Sequence, residues 1–311
     1  VFLVRYSIEQ GFLGPVARVL LGMCLGFALL GAAEMLRRGR AGVDQRLLSR
    51  VGMAPANVPP TLAAAGLVAL FAAIYAAYAL YDLAGPLATF LALATVSAAA
   101  MALSLLHGPI VAILGQAAAF IVPALVSTDD PSALALFGYV LAVAAGCLAL
   151  AKYRGWRWTA WIALAGVAGW TLLWFAGAWR PADLLVIAIF IVLTTALFAF
   201  AGPRPYGPED RLFLRIVQSD LLPDATLVAM AVLAFLLARM GSYDVPSLLG
   251  LAGLAAAIIA ASRREQSMDY LALVGAASVV AALALWHLPQ VIEEALPLGM
   301  IEGRIRVVEK K

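Results

Sequence analysis

The stretch TLAAAGLVALFAAIYAAYALY, residues 61–81, decides the fold of this chain. It contains no charged residue, and its only polar side chains are one threonine and three tyrosines. A helix of this length would be about 30 Å long, which matches the roughly 30 Å hydrocarbon core of a bilayer. Apolar and polar residues do not alternate as they would in a lipid-spanning barrel. The stretch is therefore predicted to be a transmembrane helix.

Composition extends this prediction to most of the chain. Apolar residues make up 64% of the sequence and charged residues 13%. Typical soluble domains hold roughly 45–50% apolar and about 25% charged residues. Since only lipid could cover so much apolar surface, we predict an all-α polytopic transmembrane bundle of about ten spans over residues 1–288. Residues 289–311 are predicted to be an extramembrane tail or the start of an external loop. The spans are predicted at residues 13–35, 61–81, 85–106, 108–126, 132–151, 156–176, 181–201, 222–240, 245–261 and 268–287.

The loops between these spans differ in basic charge. Thirteen arginines and lysines lie in loops on one side, and only Arg180 and Arg239 lie in the opposite loops. The positive-inside rule then predicts that these thirteen residues face the cytoplasm and that both chain ends lie outside. Topology also explains the net charge of +3, so membrane lipids and not nucleic acid are the expected partners. The thirteen are Arg37, Arg38, Arg40, Arg46, Arg50, Lys152, Arg154, Arg157, Arg204, Arg211, Arg215, Arg263 and Arg264.

The first residues indicate a piece of a longer protein. The chain begins with Val1, without a methionine, and four apolar residues precede Arg5. This run is too short for a signal peptide and is typical of the end of an earlier helix.

Several motifs are similar to those of one bacterial family. They are YSIEQGFLGP at residues 6–15 with Arg18-Val19 and Gly22, then Phe120, Pro123, Ser127 and Thr128, LFGY at 136–139 and RGWRW at 154–158. Together they resemble the DUF2339 membrane proteins. The resemblance implies a multipass protein of the bacterial inner membrane and a longer full-length chain, but no activity. The chain departs from the family where a single Gly115 precedes Gln116 in place of an expected Gly-Gly pair.

Charged residues near the predicted outer interface form the first candidate site. Arg5, Glu9 and Arg18 cluster there and could bind an anion or gate a pathway. A surface ion pair with a snorkelling arginine is the simpler interpretation, which we favour.

Two further candidates lie on the predicted spans. Gln116 is the most polar residue near the middle of a span, and it could line a polar pathway. We favour a hydrogen bond to a neighbouring helix. Glu34 could bind a cation or proton at membrane depth, but an interfacial pair with Arg38 at i+4 is simpler.

A tyrosine stripe is the next candidate. Tyr75, Tyr78 and Tyr81, followed by Asp82, recur on one broad helix face and could line a cavity or anchor the helix at the interface. His107, beside a Gly-Pro turn, is expected to face the cytoplasm without a carboxylate partner.

Glycines, cysteines and catalytic motifs bear on helix packing and on possible chemistry. Gly22 and Gly26 form a Gly-x-x-x-Gly face that favours close helix packing and would permit self-association. Cys24 and Cys147 lie in separate apolar runs, so a structural disulfide is not expected. The sequence holds no nucleotide-binding, metalloprotease or hydrolase motif, so no catalytic residue, metal or cofactor is predicted.

The functional hypothesis is accordingly broad. We favour a non-enzymatic membrane protein, either a transporter-like bundle or a membrane scaffold. The alternative is an envelope enzyme that acts on lipid-linked or acyl substrates at the outer interface. Its candidate groups would be Arg5, Glu9, Arg18, Asp82, Asp129 and Asp130. A water-accessible cavity at Gln116 would favour transport, and acids and bases in a groove would favour the enzyme. A structure with neither feature would favour the scaffold.

Overall fold

A computed structural model of the chain describes residues 14–39, 58–126, 131–202, 222–241 and 253–256. Every regular element within these ranges is helical. Residues Pro181–Asp183 form a 3₁₀ turn, and residues 253–256 are also helical. The α-helices are α1 Pro15–Arg37, α2 Val58–Ala79, α3 Pro86–His107, α4 Pro109–Leu125, α5 Ala133–Arg154, α6 Trp158–Gly177, α7 Leu184–Ala201 and α8 Leu222–Met240.

The helices have the lengths and composition of a membrane bundle. Six helical segments within the described ranges are long and apolar enough to cross a bilayer, namely α1, α2, α3, α5, α6 and Pro181–Ala201. Two shorter apolar helices, Pro109–Leu125 and Ala225–Met240, coincide with the predicted fourth and eighth spans. The predicted tenth span, most of the ninth and the tail at 289–311 lie outside the described residues. The helical membrane bundle is confirmed, whereas the count of ten spans stays a prediction.

Proline and glycine set the helix ends. Pro15, Pro86 and Pro109 occupy the first turns of α1, α3 and α4, where a missing N–H leaves no hydrogen bond unmade. The Ser132 hydroxyl caps α5 by accepting a bond from a first-turn backbone N–H at 3.4 Å. Gly155 ends α5 in the left-handed conformation, with φ of 70°.

The chain divides into two compact units, Val1–Val167 and Ala168–Lys311. In the first unit α1 packs along α2, and α3 packs along α4. Helix α2 also contacts α3 and α4, and α5 packs against the same two helices. In the second unit α7 packs against α8, and the Trp174 indole N–H donates to Asp183 Oδ2 at 3.2 Å.

Two apolar layers fill the interior of the first unit. The small-residue layer consists of Ala33, Ala63, Ala64, Leu67, Ala100 and Val111. The aromatic layer consists of Leu93, Val122 and Val126, against which Phe71, Ile74, Tyr75, Tyr78, Phe90, Leu125 and Tyr139 pack. Because Val111 and Val122 both lie on α4, the two layers are separated by about 16 Å along that helix.

Glycines allow α1 and α2 to approach closely. A Cβ on Gly66 would lie 2.8 Å from the Gly26 carbonyl oxygen and 3.1 Å from the Leu30 nitrogen. A Cβ on Gly22 would lie 3.0 Å from Ala73 Cβ. The predicted small-residue face therefore packs against α2 within the chain. Self-association through Gly22 and Gly26 stays a prediction.

We expect Gly66→Ala to lower the free energy of unfolding by about 1–3 kcal/mol, because two backbones and not a flexible side chain would have to separate. Gly31→Ala on α1 is the matched control, since a Cβ there meets nothing within 4 Å. It should be neutral or slightly stabilising. Thermal unfolding in detergent, followed by circular dichroism, compares the two. Equal melting temperatures for Gly66→Ala and the parent would contradict the close approach.

Candidate functional site

Gln116 lies on α4 between the two apolar layers and is fully buried. It follows Val111 of the small-residue layer by five residues and precedes Val122 of the aromatic layer by six. Neither its amide oxygen nor its amide nitrogen has a hydrogen-bond partner among the described residues. A buried polar group without a partner costs about 1–3 kcal/mol. From the sequence we favoured a hydrogen bond between Gln116 and a neighbouring helix. Among the described residues that bond is not formed.

The helix beside Gln116 carries buried hydroxyl groups that already have partners. Helix α4 lies against α3 at Gly115, where a Cβ would be 2.9 Å from Ala100 Cβ. On α3, Ser97 Oγ donates to the Leu93 carbonyl oxygen at 2.8 Å. Ser104 Oγ donates to the Met101 carbonyl oxygen at 2.6 Å. Both serine protons are thus used within their own helix, unlike the amide of Gln116.

Glu34 binds two arginines at the end of α1. Arg37 donates from Nε and from a terminal nitrogen to the two carboxylate oxygens, both at 2.7 Å. Arg38 Nε donates to Glu34 Oε1. The predicted pair with Arg38 is therefore present, and Arg37 joins it in a bidentate contact. The three side chains together carry a net charge of +1.

His107 is the unexpected neighbour of this cluster. Its side chain is 2% exposed, and its Nε2 lies 3.9 Å from Glu34 Oε2. Its Nδ1 lies 3.3 Å from the Leu103 carbonyl oxygen, so a proton on Nδ1 can be donated there, while Nε2 has no hydrogen-bond partner among the described residues. The expectation of a solvent-facing turn histidine without a carboxylate partner was wrong. Helices α1 and α3 both pack against α2 and both end at this side, which brings the two residues together.

The remaining predicted residues lie elsewhere. The Arg18 guanidinium lies 6.0 Å from the centre of the Tyr81 ring, and Asp82 occupies an exposed turn with φ of 51°. Tyr75 packs against the aromatic layer. Arg18 and Glu34 are sixteen residues apart on one helix, or about 24 Å, so the predicted set does not form a single site. Arg5, Glu9, Asp129 and Asp130 lie outside the described residues.

Tyr139 compensates for a break in α4 that the sequence analysis did not anticipate. Pro123 lies inside α4 and has no N–H to donate to the Ala119 carbonyl four residues earlier. The Tyr139 hydroxyl on α5 donates to that carbonyl at 2.8 Å. The Tyr139 ring also contacts Phe90 of α3 edge to face, with centroids 4.9 Å apart. One side chain therefore joins three helices. The interior proline was the signal that could have indicated it.

We expect Tyr139→Phe to lower the free energy of unfolding by about 1–3 kcal/mol, because the buried Ala119 carbonyl loses its donor. In a Pro123→Ala background the helix supplies its own N–H, so the same substitution should cost much less. Thermal unfolding of the four proteins in detergent gives the coupling between the two positions. An equal cost of Tyr139→Phe in both backgrounds would show that the proline and the hydroxyl act independently.

Metal and thiol chemistry receive no support from the described part of the chain. Within those ranges, no group of three or more His, Cys, Asp or Glu residues could hold a metal ion. Cys24 is exposed and Cys147 is buried, and both are free thiols.

A comparison with protein families gives the same family that the sequence motifs resemble. The model of the family described as "Predicted membrane protein (DUF2339)" matches residues 1–292. No curated protein and no solved structure matches the chain. Because the match covers nearly the whole sequence, this chain belongs to the DUF2339 family of predicted membrane proteins.

Proposed function

We propose that this chain is the membrane-embedded bundle of a transporter-like protein, in which a small polar solute passes Gln116 in the first unit. The observation that carries the proposal is the fully buried amide, whose oxygen and nitrogen form no hydrogen bond to any described residue. Buried polar groups nearly always have partners. Polar side chains within membrane spans often mark the pathway of a substrate or ion.

The amide suits an uncharged ligand. It offers one acceptor oxygen and a nitrogen with two protons, and it carries no charge. The neighbouring Ser97 and Ser104 oxygens retain lone pairs after donating their protons. A neutral solute with both donors and acceptors could replace the bonds that it makes with water. An ion would lose much more solvation in this environment.

The two apolar layers act as the closures of this pathway. Gln116 lies between them, so the described arrangement corresponds to an occluded state. The small-residue layer contains mainly alanine, and small side chains permit helices to slide past one another with little steric hindrance. Beyond this layer lie His107 and the Glu34–Arg37–Arg38 cluster, whose ion pairs would form the entrance on that side.

The orientation follows the distribution of basic residues. Arg37, Arg38, Lys152 and Arg154 lie at the helix ends that the positive-inside rule assigns to the cytoplasm. We therefore infer an inner-membrane protein whose Glu34–His107 end faces the cytoplasm and whose Arg18–Tyr81 end faces outward.

The other two hypotheses have less support. A groove lies between α3 and α5, with Ala98 of α3 and Ala142 of α5 among its lining residues. The lining contains no carboxylate, histidine, lysine or arginine, so the groove does not favour the envelope enzyme. In a scaffold, Gln116 would serve only for packing. A buried amide without hydrogen bonds lowers the free energy of unfolding, so an apolar side chain would serve packing better.

Cysteine accessibility tests the pathway. With Cys24 and Cys147 replaced by alanine, Gln116→Cys and Val140→Cys are compared in vesicles treated with a small water-soluble methanethiosulfonate. Both positions are fully buried, and Val140 on α5 belongs to neither apolar layer. We expect the residue at 116 to react at least about ten-fold faster, which corresponds to about 1.4 kcal/mol less free energy of opening. Equal rates would reject the transporter and favour the scaffold.

A second prediction concerns stability. Gln116→Leu should raise the free energy of unfolding by about 1–3 kcal/mol, because it replaces an unbonded amide by an apolar group of similar size. Thermal unfolding in detergent measures the change. If the amide instead formed a hydrogen bond between two helices, the same substitution would lower the free energy of unfolding, by about 0.6 kcal/mol on average.

A further inference from the structure

A groove of about 580 Å³ runs between α3 and α5 on the first unit. Its walls are small side chains, with Ala98 and Ala102 on α3 and Ala142, Gly146 and Ala149 on α5. Its floor includes the buried Met101 and Val143. The volume lies within the range of about 300–1,000 Å³ that is usual for ligand sites. The groove does not include Gln116, so it is separate from the proposed pathway.

The length of the groove suits a hydrocarbon chain. Its lining on α3 extends from Leu91 to Leu105, which is about 21 Å along the helix. One leaflet of the hydrocarbon core is about 15 Å deep. The two leucines are 56% and 39% exposed, so the groove is open toward the side of the helix pair. An acyl chain can therefore lie along it without leaving the membrane.

One end of the groove is basic. Tyr153 lines this end and is 79% exposed. Its neighbours Lys152 and Arg154 are also exposed, and the Arg154 guanidinium lies 5.1 Å from the centre of the Trp156 ring. Lys152 forms no ion pair with any described residue. Tyrosine, tryptophan and basic side chains at a helix end are typical of the headgroup region.

We propose that this groove binds one acyl chain of an anionic phospholipid, whose phosphate lies against Lys152 and Arg154. The apolar walls match the chain, and the two cations match the negative phosphate. A second protein helix would match the walls but would leave the cations without a partner. The charge at the end of the groove therefore favours a lipid over a second copy of this chain.

The binding test uses the full chain purified in a neutral detergent. Phosphatidylglycerol or phosphatidylcholine is titrated, and the melting temperature is followed, because a ligand that binds only the folded state raises it. We expect phosphatidylglycerol to raise it and phosphatidylcholine to have little effect. The water-soluble headgroup glycerol phosphate should also have little effect, which distinguishes a lipid from a free phosphate.

Variants locate the site. Lys152→Gln with Arg154→Gln should weaken the apparent affinity for phosphatidylglycerol at least about ten-fold, since charge-assisted contacts are lost. Ala142→Leu should weaken it similarly by filling the groove. Ala135→Leu is the matched control, because it is exposed on the same helix and outside the groove, and it should keep the parent affinity.

Each other outcome rejects the proposal. An unchanged affinity in both the charge variant and Ala142→Leu would place the lipid elsewhere. If Ala142→Leu instead dissociated an oligomer and left lipid binding intact, the groove would be a contact between copies of the chain. A response to glycerol phosphate equal to that to phosphatidylglycerol would leave no role for the acyl chain.

Discussion

The structure depends on one constraint, which is that backbone polar groups in hydrocarbon must find their partners within the protein. Helices satisfy this requirement locally, and the interruption inside α4 is compensated by a neighbouring helix. Pro123 deprives the Ala119 carbonyl of its helical donor, and Tyr139 supplies another from the next helix. The compensation also fixes the position of α5 against α4. A local defect in one helix thus becomes a specific tertiary contact.

The same constraint makes the side chain of Gln116 informative. Ser97, Ser104 and Thr195 meet it by donating to carbonyl oxygens of their own helices. Glutamine 116 has no such bond among the described residues. Its burial between two apolar layers is costly for folding alone, and proteins tend to keep such costs where function requires them. The difference between the bonded hydroxyl groups and the unbonded amide supports the proposed pathway more specifically than the apolar composition does.

Electrostatic contacts concentrate at the basic end of the first unit, but they differ in kind. Glu34 is saturated by two arginines, so that cluster is locally compensated. His107 lies buried beside it, with its Nε2 3.9 Å from Glu34 Oε2. Lys152 and Arg154 are exposed and lie beside an apolar groove. In the two proposals above, the Glu34 cluster forms the entrance of the pathway, and Lys152 with Arg154 binds a lipid phosphate, so the two basic surfaces serve different partners.

The sequence by itself determined that the protein is a helical membrane bundle, where most described helices begin and end, and which family it resembles. These properties follow from apolar run length, proline and glycine positions and short motifs, all of which are local. The partner of Glu34 at i+4 was predictable for the same reason. Only the tertiary structure decided that His107 lies beside Glu34, that the Tyr139 hydroxyl donates to the Ala119 carbonyl, and that Gln116 has no hydrogen bond within the described part of the chain. Those outcomes depend on which helices pack together and at what height. In a chain of alanine- and leucine-rich helices, many packing arrangements would bury the same apolar residues, so the pattern of hydrophobicity does not distinguish among them.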